Sequence, residues 1–479
     1  MTRILENYEP KRACFHFENI SAIPRGSGNE KGIADYLVSF AEQNGLWYHR
    51  DGINCVLIKK PASKGYEDHA PVILQGHTDM VCEKNLDTVH DFEKDGLKLK
   101  VKDGWLEAEG TTLGADDGVA VAIMLAILED KSAAHPPLEC LFTVMEETGM
   151  DGALDFDYSL LEGRTMINLD SEDLDCATVS CAGGATTTMT VNCDTSTRKN
   201  KLLKVTLKGL AGGHSGVEIN KGRANANILM ARLLSALYDK RPFNLVSING
   251  GNKTNAIPRE CEAVIAVFDP EDSKETLLEA AKVVSNELCD EDAGFKLHIN
   301  KANGSDFVMT YKDTSRVLRA ICLLPNGVMA FSRDIKGLVE TSSNLGIVRT
   351  DGQAVRLITM ERSSVDSKLD YVMKQFDMLG RCVDATVEHS ERHPGWEYAR
   401  ESRIRDVYFE SFKKLFGYEP KFEAIHAGLE CGIIGRSLGK VDTVSFGPKV
   451  VDIHTPDEKL DLKSFKDGYE LVLEMLKKL

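Results

Sequence analysis

Five short motifs between residues 77 and 454 gather the residue types that hold divalent metal ions and use them in catalysis. They are LQGHTDMV with His77 and Asp79, LGADDGVAVA with Asp116, VMEETG with Glu146 and Glu147, INLDSED with Asp170, and IHTPDE with His454. Taken singly, each has an ordinary reading. His77 and Asp79 point to one side of an extended segment, so the carboxylate could orient the imidazole of a metal ligand, or the two could be a strand-end pair at the surface. Adjacent glutamates at a strand end project differently, which lets one bind metal while the other takes a proton from water; they also make an acidic turn. Asp116 opens a strong helix, where it could bridge two ions or cap the helix. Asp170 suits a ligand or a turn, and His454 a ligand or a loop imidazole.

Together the motifs say more. Two ions need a bridging group and terminal imidazole or carboxylate ligands on each side, and zinc or cobalt favours that mixed set. His77, Asp116, Glu147, Asp170 and His454 supply it. Glu146 is left as the base and Asp79 as the residue that orients His77.

These side chains need a scaffold that brings distant segments together. NCVLIKK, PVILQGH, LECLFTVM and RTMINLD read as short buried strands, and DDGVAVAIMLAILED as a helix with an acidic start and an apolar face. The alternation predicts an α/β domain with a mixed, largely parallel sheet. His77, Glu146, Glu147 and Asp170 each follow a strand, where ligands gather in such sheets. From about residue 184 the pattern changes to alternating strands and long helices, which predicts an inserted α+β domain over 184–385 with two related halves. The α/β pattern returns at 386. The expected layout is therefore a catalytic domain in two parts, 1–183 and 386–479, interrupted by the insert.

With 479 residues the chain is long enough for two or three domains. A net charge of −16 argues against nucleic acid or an anionic membrane as partner. No signal-peptide core and no bilayer-length apolar stretch is present, and the twelve cysteines are scattered, which points to a cytoplasmic protein.

In this order the motifs resemble the M20 metallopeptidases. IPRGSGNEKGIADYL near the start, GGHSG at 212–216, NAIPRE at 255–260 and HAGLECG at 426–432 resemble its aminoacyl-histidine (Xaa-His, or cytosol non-specific) dipeptidase branch. The resemblance implies a two-metal catalytic domain interrupted by a lid, the five ligands named above with Asp116 bridging, Glu146 as general base, and a cis peptide after Asp116. It further implies that His214 stabilises the oxyanion, that Asn255 and Arg362 hold the substrate carboxylate, and that Glu430 is either a contact for the substrate amine or a buried structural acid. The expected reaction is hydrolysis of a dipeptide's amide bond. A tripeptidase or N-acyl amino acid deacylase of the same family is the nearest rival, and a non-catalytic metal-binding scaffold the distant one. Zinc is the default ion, with cobalt or manganese also admitted. The family implies homodimers through the lid, although a lid of doubled size could supply His214 within one chain.

Overall fold

The computed structural model describes residues 3–196, 201–303 and 307–479. The chain forms two compact units. One comprises Met1–Ser180, Tyr398–Ala424 and Leu429–Leu479; the other comprises Cys181–Glu397 and Ile425–Gly428.

The first unit is built on an eight-stranded mixed sheet. At its centre Val72–His77 runs parallel to Leu138–Thr143 on one side and to Thr165–Asn168 on the other, and Asp442–Ser445 runs parallel to Thr165–Asn168. Towards one edge, Val56–Lys60 and Trp47–Arg50 are antiparallel; beyond Asp442–Ser445, Cys176–Cys181 is also antiparallel. Every residue of VILQGH and LECLFT is buried, as expected of strands covered on both faces. The register sets His77 beside Thr143 and Gln75 beside Asn168, so these three strands end at nearly one level.

The helix Ala115–Glu129 is buried on all sides from Gly118 to Leu128, rather than along one apolar face. Its sequence explains this: after the two aspartates and a glycine it has no polar residue until Glu129. It packs against Lys11–Ser21 and Val72–His77 in the main core of the unit. No described helix is long and apolar enough to cross a membrane.

The second unit is a nine-stranded antiparallel sheet with helices packed on it. Two sets of elements alternate in the same way along the chain. One is Lys201–Lys208, Ala226–Lys240, Asn244–Gly250, Cys261–Val267, Pro270–Ser285 and Lys296–Lys301. The other is Gly183–Asn192, Tyr311–Leu323, Val339–Asp351, Ala354–Ser363, Asp366–Val383 and Thr386–His393. Each reads strand, helix, strand, strand, helix, strand. With strands counted along the chain, each set lies in the sheet in the order 4-1-3-2. The sets join through their second strands, where Gly250 pairs with Val348. The first set is threaded between the first strand and first helix of the second.

The α/β pattern returns later than residue 386. Thr386–His393 is the edge strand of the inserted sheet, paired with Gly183–Asn192, and the first unit resumes at Tyr398. The segment Ile425–Gly428 also belongs with the insert.

Candidate functional site

The ends of the parallel strands bring the acidic and histidine motifs together. His77 is the last residue of its strand. Past Thr143 the chain turns at Met145 in a left-handed conformation (φ 54°) into the short helix Glu146–Gly149. Asp170 lies two residues beyond Asn168, the end of its strand. Asp116 sits at the mouth of the buried helix in a non-helical conformation, and its peptide bond to Asp117 is cis. His454 comes from a loop near the end of the chain and is also left-handed (φ 60°).

Asp116 stands between the two imidazoles. Its Oδ1 lies 3.1 Å from His77 Nε2, and its Oδ2 lies 3.1 Å from His454 Nε2. Asp170 Oδ1 is 3.5 Å from His77 Nε2, and Glu147 Oε2 is 3.1 Å from His454 Nε2. Two groups of potential metal donors follow, His77–Asp116–Asp170 and Asp116–Glu147–His454, sharing Asp116. Glu146 falls in neither; it groups with His77 and Glu147. Oε1 of Glu147 is buried without a partner among the described residues.

The electrostatics match a site made for cations. Burial alone would lower His77, but Asp170, Asp116 and Asp79 raise it well above the usual imidazole range. Hydrogen bonds to Asp116 and Glu147 raise His454 to about 10. Burial would raise Asp116, yet its bonds to His454 and His77 hold it below the usual carboxylate range. Burial, together with Asp170, Glu430 and Glu147, raises Glu146 well above that range despite His77. Protons on the imidazoles balance part of a carboxylate field that divalent ions would balance instead. The donor set therefore fits a pair of such ions.

Asp79 does more than face His77, whose Nδ1 is 3.2 Å from its Oδ1. It accepts from the backbone N–H groups of Glu146 and Glu147 (3.1 and 3.3 Å) and from the Ser27 hydroxyl (2.7 Å). One carboxylate thus fixes the imidazole and caps the glutamate turn. Glu430 is fully buried, and its Oε2 accepts from Gln75 (2.6 Å) and Thr143 (2.7 Å). Burial raises it to about 8. That setting suits the structural acid of the two readings; its Oε1 is buried without a partner among the described residues.

Three buried charges that support this centre were not singled out from sequence. Glu458 accepts backbone N–H groups from Leu113, Gly114, Ala115 and Asp116 at 2.7–3.3 Å, clamping the loop that presents Asp116. The Arg25 guanidinium, 1% exposed, donates to the carbonyls of Thr78 (2.9 Å), Asp79 (3.1 Å) and Gly114. Glu30 accepts from the Met145 N–H at 3.2 Å. The available signal was their place in IPRGSGNE and HTPDE, beside residues already marked.

The insert holds the remaining candidates. His214 lies on a two-stranded ribbon, Gly213–His214 against Ala256–Ile257. Its Nδ1 accepts from the N–H groups of Gly216 and Val217, both at 3.2 Å, which leaves the proton on Nε2. Burial and the Arg362 guanidinium lower its pKa, so the ring is a neutral donor at pH 7. Asn255 sits in the exposed turn leading into the partner strand, and its carbonyl accepts from Ser215 N–H at 2.9 Å. Asn344 steadies this turn by donating to the carbonyls on either side, Thr254 and Ala256 (3.1 and 2.9 Å). Arg362 is buried on Ala354–Ser363, and burial lowers it to about 10.

Comparison with known proteins agrees with the motif resemblance. The pattern of the peptidase dimerisation domain matches residues 205–293. The cytosol non-specific dipeptidase of Escherichia coli K12 is 38% identical over 479 residues, 99% of each chain. The structure of aminoacylhistidine dipeptidase from Vibrio alginolyticus matches with a TM-score of 0.93 at 34% identity, covering 99% of this chain and 98% of that one. Aminopeptidase PepT from Bacillus cereus, at 17% identity and a TM-score of 0.57, shares the fold. The chain belongs to the cytosol non-specific dipeptidase family of the M20 peptidases.

Proposed function

We propose that this protein hydrolyses the amide bond of Xaa-His and other dipeptides at a two-metal centre. The observation that carries this reading is Asp116, whose two carboxylate oxygens belong to two separate donor groups. His77 and Asp170 would hold one ion, Glu147 and His454 the other, and Asp116 both. Zinc is the default, and the oxygen-rich set also admits cobalt or manganese. Bound ions would supply Lewis acidity, lowering the pKa of a water to about 7 and polarising the scissile carbonyl.

The chain's own residues divide the rest. Glu146 takes the proton of the attacking water and returns it to the leaving nitrogen. Asp79 keeps His77 in one orientation. His214 donates its Nε2–H to the oxygen that gains charge, a contribution of roughly 3 kcal/mol. Arg362 and Asn255 receive the substrate carboxylate, for which a planar guanidinium is suited. Glu430 braces two strand ends through its hydrogen bonds to Gln75 and Thr143.

The names of the Escherichia coli and Vibrio alginolyticus relatives support a dipeptide substrate, and the former supports a cytosolic location. The dimerisation-domain match supports pairing of two copies through the insert.

Glu146→Gln should keep its metal and lose turnover by roughly 10²–10⁴-fold. Glu147→Ala should lose metal. Elemental analysis beside a dipeptide assay measures both, and equal metal loss in the two variants would overturn the division of roles. Tripeptides and acetylated amino acids in the same assay separate the rival amide substrates.

A further inference from the structure

Arg362 lies in the middle of a row of three strands. Directly across from it are Ser342 on one side and Gly184 on the other. Directly paired residues point to the same face, so all three share a surface. The Ser342 hydroxyl is 2.7 Å from Nε2 of His426. A Cβ on Gly184 would come within 2.7 Å of the His393 ring, so that imidazole occupies the room the glycine leaves. A Cβ on Gly216 would meet the His426 carbonyl oxygen at 2.5 Å and the His214 ring at 2.9 Å, which sets those two histidines side by side.

Arg362 shares its face with a hydroxyl and neighbouring imidazoles, its Nη2 donates to the Met360 sulfur at 3.3 Å, and among the described residues no carboxylate pairs with it. His426 is 5% exposed and Arg362 6%. Nδ1 of His426 and Nε of Arg362 are buried without partners among the described residues. A buried charge left in this state is costly, and so is an unmet buried N–H. Neutral imidazoles cannot balance the charge, whereas an incoming anion would balance it.

We infer that His426 is a second carboxylate-binding residue beside Arg362, and that together they select substrates with a free carboxylate next to the residue that leaves. The inference rests on the dipeptidase reading. The inference has Ser342 donate to Nε2, which places the proton of the neutral ring on the unpartnered Nδ1, free for the carboxylate. Burial and the neighbouring Arg362 and His214 push His426 down to about 3, so it keeps this form across the neutral range. A tripeptide or a dipeptide amide offers a neutral carbonyl here and leaves the guanidinium unbalanced.

The test compares the metal-loaded wild type with His426→Ala and His426→Asn on a dipeptide and its C-terminal amide. The alanine variant should lose roughly ten- to a hundredfold in kcat/KM on the dipeptide, mainly through KM, the range for a hydrogen bond to a charged group. The amide should lose far less, and asparagine, a neutral donor, should restore part of the preference. Equal losses on both substrates, or an unchanged preference, would overturn the inference. Wild-type failure on every dipeptide would instead sink the dipeptidase reading.

Discussion

The two candidate clusters are opposites in charge. Around Asp116, carboxylates outnumber cations and drive both imidazoles upward. Among the described residues no carboxylate pairs with Arg362, and burial and then the guanidinium lower His214, His393 and His426, against an opposing pull from Glu218 on His214 and from Glu391 on His393. The same residue type is held charged in one place and neutral in the other. Neither cluster is balanced by its own side chains: the first has an excess of negative charge, and the second an unpaired positive one. Under the proposed function a pair of divalent ions would complete the first, and a substrate carboxylate the second.

That contrast can be broken at either end. The largest effect is expected from Arg362→Met, which should lower kcat/KM on dipeptides about a hundredfold or more, in line with the 2–5 kcal/mol of a truncated buried charge pair. Its metal content should equal that of the wild type; loss of metal would show that the clusters are not independent. Arg362→Lys should restore only part of the activity, since a lysine lacks the two-point fork.

A middle-sized effect is expected from Glu458→Gln. One acceptor oxygen becomes a donor, so backbone N–H groups before Asp116 lose their partner at about 1–3 kcal/mol each. Thermal melting should drop, and metal affinity should fall about 10–100-fold, as for other residues that orient ligands. The preference for a free carboxylate should stay; a change in it would contradict the separation.

The smallest effect concerns acid. An unfolded chain protonates His426 near about 6.5, the folded protein only near about 3. Between those values the unfolded state binds more protons, so stability falls as pH drops through that window. His426→Gln should flatten the fall in melting temperature between pH 7 and pH 4. An identical slope would mean that His426 is not held neutral.

Much of the cluster around Asp116 was legible because its residues end apolar runs, and parallel strands bring such ends to one level. The mixed α/β class was legible for the same reason. Other features were hidden for physical reasons. Arg25, Glu30 and Glu458 act on backbone groups, and a charged residue in sequence reads as solvated until its burial is seen. His426 stood in a quoted motif, but its partner Ser342 is 84 positions away, and only strand register sets it beside Arg362. The end of the insert was misplaced because Thr386–His393 looks like any short strand; its antiparallel pairing with Gly183–Asn192 decides where it belongs.

The clamp on the Asp116 loop has a consequence for how the chain is made. Arg25 grips the carbonyl of Gly114 from near the start of the sequence, while Glu458 and His454 come from near its finish. A nascent chain still on the ribosome has the loop and the first grip but neither the second grip nor the last imidazole. The cluster is assembled only once residue 458 has emerged, so a polypeptide cut short of it lacks the second grip on the Asp116 loop and one of its two imidazoles.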